Sequence, residues 1–278
     1  MDPDSLPPLR EVIARHGLDA RRALGQHFLL DGNLTARIAR AAGDLAEISV
    51  IEVGPGPGGL TRALLDAGAT RIVAVERDPR CIVALAELAA VYPDRLQIVE
   101  ADALKIDLPA LVPPPRRVVA NLPYNVATPL LIGWLRNAGA FAGLTLMFQK
   151  EVADRLTAEP GSRAYGRLSV IAQRQCRVQR EFNVDARAFV PPPRITSTVV
   201  SLTPRSDPLG AEALAALETV TAAAFGQRRK MLRTTLKPLG LDLAALGIDP
   251  TQRAEDLSVE AFCTLADAHA ARVEARGG

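Results

Sequence analysis

Residues 118–127 read VVANLPYNVA, an apolar run that breaks into Asn121-Leu122-Pro123-Tyr124. A neutral amide, a backbone stiffened by proline and an aromatic ring stand side by side there. That combination suits a flat group that lies against the ring while the amide hydrogen-bonds to it. Upstream, VIEVGPGPGGLT (50–61) sets Gly54, Gly56, Gly58 and Gly59 between an apolar run and a helical pattern. Glycine serves where backbone turns sharply and approaches a ligand closely, since a Cβ would obstruct both. The spacing satisfies GxGxxG and GxGxG together, so it points to a nucleotide-like ligand without separating a dinucleotide from another adenosine-containing cofactor. Glu76 ends the next apolar run in IVAVERD, where a carboxylate can accept from both ribose hydroxyls and repel a 2′-phosphate. Asp102 follows in VEADAL, placed either to accept from an adenine amino group or to cap a helix.

These groups converge only if the runs that carry them are neighbouring strands. Residues 49–53, 71–76, 95–100, 116–121 and 143–148 are short runs rich in Val, Ile and Leu, most of them separated by helical patterns. The rhythm predicts repeated βα units and a mostly parallel sheet covered on both faces. Polar residues at the strand ends then share one crevice. After Gln149 the pattern changes to two helical stretches near 149–158 and 165–174, then CRVQREFNV and ITSTVVSLTP, which alternate like strands and predict an antiparallel hairpin at the sheet edge. AFVPPPR stiffens the loop between them. From RSDPLG (205–210) onward no strand signal remains, and the chain reads as short helices broken at Pro238, Gly240, Gly247 and Pro250. The expected division is a catalytic domain over 1–206 and an all-helical domain over 207–278.

Among 278 residues, 48% hydrophobic and 23% charged, there is ample material for a buried core. Cys81, Cys176 and Cys263 lie far apart, as do His16, His27 and His269, so neither a disulfide framework nor a metal site is expected. No leader pattern and no uninterrupted apolar span appears, and a soluble cytoplasmic protein is expected. The net charge of +2 hides a polarity along the chain. Arg163, Arg167, Arg174, Arg177, Arg180, Arg187 and Arg194 face only Glu181 and Asp185 in their stretch. Arg228, Arg229, Lys230, Arg233 and Lys237 occupy residues 222–240 without one acid. Such asymmetry suits a polyanion-binding face.

The acid before the glycine turn, Glu76, Asp102 and Asn-Leu-Pro-Tyr together resemble a class I S-adenosylmethionine-dependent methyltransferase of Rossmann-like fold. More narrowly, the sequence resembles the bacterial small-subunit rRNA adenine dimethyltransferases, the KsgA/RsmA family. LGQHFL (24–29), FQKEVADRL (148–156), YGRLSV (165–170), FVPPPRITSTVV (189–200) and FGQRRKMLRTTL (225–236) match that family's blocks in order. The resemblance implies that His27, Leu29, Gly54, Gly56, Glu76, Asp102 and Asn121 hold S-adenosylmethionine, leaving S-adenosylhomocysteine as product. At the place of His27 the family more usually has Asn. It further implies that Asn121, Leu122, Pro123, Tyr124 and Phe189 handle an extruded adenine, the two rings stacking on it while Asn121 and a carbonyl of Leu122 or Pro123 accept from its amino group. Arg163, Arg167, Arg194, Arg228, Arg229, Lys230 and Arg233 would meet 16S rRNA in the assembling small subunit, the enzyme acting as a monomer. An NAD-linked oxidoreductase fits the glycine turn and Glu76 but leaves NLPY and the basic tail unexplained. A relative acting on large-subunit rRNA shares the cofactor half, and a non-catalytic assembly factor would keep the binding residues.

Overall fold

The computed structural model describes residues 6–18 and 27–277, so Leu24, Gly25 and Gln26 of the LGQHFL block lie outside the described residues. The strands are β1 (Phe28–Leu29), β2 (Ser49–Val53), β3 (Arg71–Glu76), β4 (Leu96–Glu100), β5 (Arg116–Asn121), β6 (Gly143–Gln149), β7 (Cys176–Val184), β8 (Phe189–Val190) and β9 (Ser197–Pro204). The helices are α1 (Leu9–Arg15), α2 (Gly32–Ala41), α3 (Gly59–Asp66), α4 (Pro79–Val91), α5 (Tyr124–Leu135), α6 (Lys150–Leu156), α7 (Arg167–Gln175), α8 (Ala211–Phe225), α9 (Leu232–Thr235) and α10 (Val259–Gly277).

Seven strands form one sheet in the order β4-β3-β2-β5-β6-β9-β7. From β4 to β6 all pairs are parallel, whereas β9 runs antiparallel to β6 and β7 closes that edge. The Val- and Ile-rich runs are long enough for a strand and apolar on both sides, and every residue of β2 is buried. Val50 pairs with Ile72 on one side and Arg117 on the other. The chain proceeds outward from β2 through β3 to β4, then returns to β5 on the other side of β2. The strand order reverses there, and a crevice opens beyond the C-terminal ends of β2 and β5.

Helix boundaries follow local chemistry. Asp31 caps α2 by accepting from Asn33 N and Leu34 N at 2.9 and 3.3 Å. Pro79 opens α4 behind the cap Asp78, which accepts from Arg80 N. Gly68, with φ at +92°, follows the end of α3 as a left-handed stop.

The chain divides into two compact units. The first comprises the chain up to Gly133 with Ala140–Ala153 and Gln179–Thr203, and the second Trp134–Gly139, Asp154–Val178 and the chain from Pro204 onward. Two helices of the second unit correct the expectation of short segments, since α8 has 15 residues and α10 has 19. Leu214, Leu217, Val220 and Ala224 fall on one face of α8, and that apolar stripe sustains the helix. The breaks at Pro238, Gly240, Gly247 and Pro250 act only in the connection between α9 and α10. Tyr165 meets Phe225 edge-on at 6.1 Å and Phe225 stacks on Phe262 at 5.4 Å, forming the aromatic centre of this unit. Gln175 ties it together, donating to Leu135 O at 2.8 Å and accepting from Leu209 N at 2.7 Å.

Candidate active site

The crevice at the strand ends is a cavity in the first unit, lined by residues from β1, the glycine turn, the ends of β3 and β4, and the NLPY turn. Gly56 has φ at +57°, and its N–H reaches Glu76 Oε2 at 3.1 Å. Gly59 serves a different need. A Cβ there would stand 2.8 Å from the carbonyl oxygen of Leu29, so its absence lets β1 approach the start of α3.

Glu76 is 7% exposed and accepts three backbone N–H groups, from Gly56 on Oε2 and from Arg77 and Asp78 on Oε1, the latter two at 2.8 Å. Both acceptor positions of Oε1 are filled, which narrows the sequence expectation of a symmetric grip on two ribose hydroxyls. Oε2 keeps a lone pair for a ligand. Asp102 lines the same cavity, and its Oδ1 accepts from Leu104 N at 3.0 Å, so one carboxylate oxygen closes the turn that follows β4.

Glu52, on β2, lines the cavity and was not singled out from sequence as a site residue. Neither of its carboxylate oxygens has a hydrogen-bond partner, and burial pushes the group up from 4.5 to about 8. The charge of Glu76 adds to the rise, while Thr61, facing the carboxyl without closing a bond, works against it. The carboxyl is therefore largely protonated at neutral pH. Its signal in the sequence was the acid just before the glycines.

Asn121 ends β5, and its Nδ2 donates to the carbonyl of His27 at 3.3 Å. That bond directs the amide, leaving Oδ1 to accept from another donor. Tyr124 begins α5, half-buried, with its hydroxyl 2.6 Å from Ser197 Oγ. Burial raises the phenol's pKa, and the Ser197 bond opposes the rise. The Pro123 carbonyl is already taken by Val126 N and Ala127 N, both at 3.1 Å, as the first turn of α5 forms. Of the two carbonyls considered from sequence, that of Pro123 is thus engaged by the helix. Phe189 is 2% exposed, on β8, which pairs antiparallel with β1: Phe28 opposes Val190 and Leu29 opposes Phe189. The His27 ring lies 5.6 Å from that of Tyr124 at 30° and 6.4 Å from that of Phe189 at 80°. Leu29, Gly54 and Gly56 join His27 and Tyr124 around the cavity, whereas Phe189 packs in the core behind it and is not one of its lining residues.

The sequence profile of the ribosomal RNA adenine dimethylase family matches residues 17–271. The chain belongs to that family. Ribosomal RNA small subunit methyltransferase A of Rhodospirillum rubrum is 64% identical over 268 residues, covering 95% of this chain and 93% of that protein. Among solved structures, a dimethyladenosine transferase from Plasmodium falciparum aligns with TM-score 0.76 and 25% identity over 86% of this chain and 96% of its own. The 23S rRNA methyltransferase ErmE aligns with TM-score 0.68 and 27% identity over 87% and 98%. An rRNA adenine dimethylase of this family has the Rossmann-like methyltransferase fold and is S-adenosylmethionine-dependent.

The basic residues separate by unit. Arg194 is exposed on the loop after β8, in the first unit. Arg163, Arg167, Arg229, Lys230 and Arg233 are exposed in the second. Arg228 differs from these: its Nη2 reaches the carbonyls of Arg163 and Tyr165 at 2.9 and 3.2 Å and Glu255 Oε2 at 3.3 Å. It fastens the 163–165 loop to the turn before α10. Among the described residues no group of three or more His, Cys, Asp and Glu could hold a metal ion, and no helix is long and apolar enough to cross a membrane.

Proposed function

We propose that this rRNA adenine dimethylase methylates the N6 amino groups of two adjacent adenines in the 3′-terminal hairpin loop of 16S rRNA, leaving dimethyladenosines in the assembling small subunit. The observation that carries the proposal is the Asn121 amide, turned by the His27 carbonyl beside Tyr124 in the cavity that Glu76 and Asp102 also line. We place the protein in the cytoplasm, acting as a monomer on a subunit precursor. The 64% identity to a small-subunit enzyme against 27% to ErmE favours the small subunit over the large one.

The residues around the cavity suit an adenosine-bearing cofactor: a positive-φ turn at Gly54 and Gly56, a buried carboxylate at Glu76 and an open oxygen on Asp102. Leu29 of β1 and His27 just before it supply the adjoining wall. S-adenosylmethionine, when bound, supplies a methyl group made electrophilic by its sulfonium. An adenine amino nitrogen is a poor nucleophile because its lone pair is shared with the ring. Asn121 Oδ1 and the Leu122 carbonyl, each accepting one N–H, draw that nitrogen toward tetrahedral geometry and localise the pair. Tyr124, on the cavity wall, offers a face for the extruded base, and stacking of about 1 to 3 kcal/mol offsets the few kcal/mol of unstacking, with Phe189 buried behind the wall as its support. No protein base is needed, because the alkylated amino group becomes acidic and loses its proton to water. Rate then rests on alignment. A neutral Asn121 also tolerates the first methyl when the second is delivered. Outside the cavity, Arg163, Arg167, Arg194, Arg229, Lys230 and Arg233 meet phosphates, with the helical residues 207–278 helping to engage the assembling subunit.

Labelled methyl transfer to small subunits lacking the modification, followed by mapping of the labelled nucleotides, tests the proposal. Asn121→Ala is expected to lower transfer by about 10²- to 10³-fold, the effect of losing one transition-state hydrogen bond, while S-adenosylhomocysteine affinity by calorimetry stays within a few-fold. Label in large-subunit rRNA, or equal loss of transfer and affinity, would overturn it.

A further inference from the structure

His27 joins the three pieces of backbone from which the base-handling part of the cavity is made. Its Nδ1 lies 2.8 Å from the carbonyl oxygen of Pro191, and because a carbonyl only accepts, Nδ1 carries the hydrogen. Its own carbonyl accepts from Asn121 Nδ2 at 3.3 Å. Its ring lies near both that of Tyr124 and that of Phe189, at centroid distances of 5.6 and 6.4 Å. The residues that follow, Phe28 and Leu29, pair with Val190 and Phe189. That two-residue ribbon and the imidazole bond tie the start of the VPPPR segment to β1, and a ladder so short is weak without side-chain support.

We propose that His27 is a positioning residue for the target base: through Nδ1–H···O=C of Pro191 it holds the Phe189 loop at a set distance from Tyr124, and through its carbonyl it directs the Asn121 amide. The proposal rests on the methyltransferase activity proposed above. It assigns the imidazole a task separate from cofactor contact. An amide at this position could donate Nδ2–H to the same carbonyl, which makes Asn the variant that keeps the bond without the ring.

The test uses the full-length protein and His27→Ala, His27→Phe and His27→Asn. Phe keeps a ring without a donor; Asn keeps a donor without the ring. Amide hydrogen exchange at Phe189, Val190 and Arg194 in the free protein reads the loop directly. It is expected to speed up in the Ala and Phe variants and to stay near the unaltered rate in Asn. Transfer to small subunits should show kcat/KM for the subunit reduced about twofold to tenfold in Ala and Phe, the range of one hydrogen bond, with most of the loss recovered in Asn. S-adenosylhomocysteine affinity should change less than about twofold in all three. Recovery by Phe but not Asn, unchanged exchange in Ala, or cofactor affinity that falls in step with kcat/KM would each overturn the positioning role. Failure of the unaltered protein to transfer methyl groups would instead remove the activity on which it rests.

Discussion

Glu52→Gln replaces a carboxyl that burial holds protonated with an amide of the same shape that cannot titrate. In the unfolded chain the group ionises near 4.5, whereas in the fold it ionises near 8. The folded state therefore binds more protons than the unfolded one between those values. Glu52 imposes no penalty below about pH 4.5, and stability is lost as pH rises toward 8. Each pH unit inside the window is worth about 1.4 kcal/mol, so Glu52 should weaken the protein by about 3 kcal/mol between pH 4.5 and 7 and by about 5 kcal/mol above pH 8. The amide variant lacks that dependence. Urea unfolding of both proteins from pH 5 to 9, followed by far-ultraviolet circular dichroism, isolates the group, because every other titrating residue is common to the pair. The stability difference should move in favour of the variant by about 1 kcal/mol per pH unit up to pH 8 and then level off. Parallel stability curves for the two proteins would refute a buried, neutral Glu52. A fixed offset against the variant is compatible with it, since the amide brings two N–H groups into a buried site where the Thr61 hydroxyl can accept only from one side.

Tyr124→Ala should weaken binding to small subunits by about 1 to 3 kcal/mol, the value of one stacked base, while Tyr124→Phe, which loses only the Ser197 bond, should stay close to the unaltered protein; filter binding separates the two. Arg229→Ala and Lys230→Ala should each lower the slope of log affinity against log salt by about 0.7 to 0.9 with little change in melting temperature. Arg228→Ala should do the reverse: the slope stays nearly unchanged, and stability falls by about 1 kcal/mol as the bonds to the Arg163 and Tyr165 carbonyls are lost from a half-exposed position.

Most of the sheet could be read from the chain because its strands are apolar on both faces. SVIEV, RIVAVE and GLTLMFQ admit few alternatives, and the ends of RIVAVE and RRVVAN place Glu76 and Asn121 on one crevice. The β1–β8 ribbon had no such signal. Two-residue strands carry no periodicity, and nothing local couples Phe28 to Val190. Competition for acceptors was equally hidden. That Pro123 O is closed off by α5, that Glu76 Oε1 is filled by Arg77 and Asp78, and that Arg228 is bound to two carbonyls are facts of three-dimensional hydrogen bonding. Residue type alone marked each as available. In the helical region the apolar stripe of α8 was present in the sequence, but the Pro and Gly breaks of the α9–α10 connection drew attention from it.

The pairing of Phe28 with Val190 also sets a timetable for biosynthesis. A polypeptide emerges from the ribosome N-terminus first at about 5 to 20 residues per second, so the wall built on β1 waits roughly ten to thirty seconds for its partner. Through that interval the glycine turn and the β2–β3 pair can already form from neighbouring sequence, because their contacts are close along the chain. The β1–β8 pairing cannot. That side of the cavity is completed late, when most of the chain has already been made.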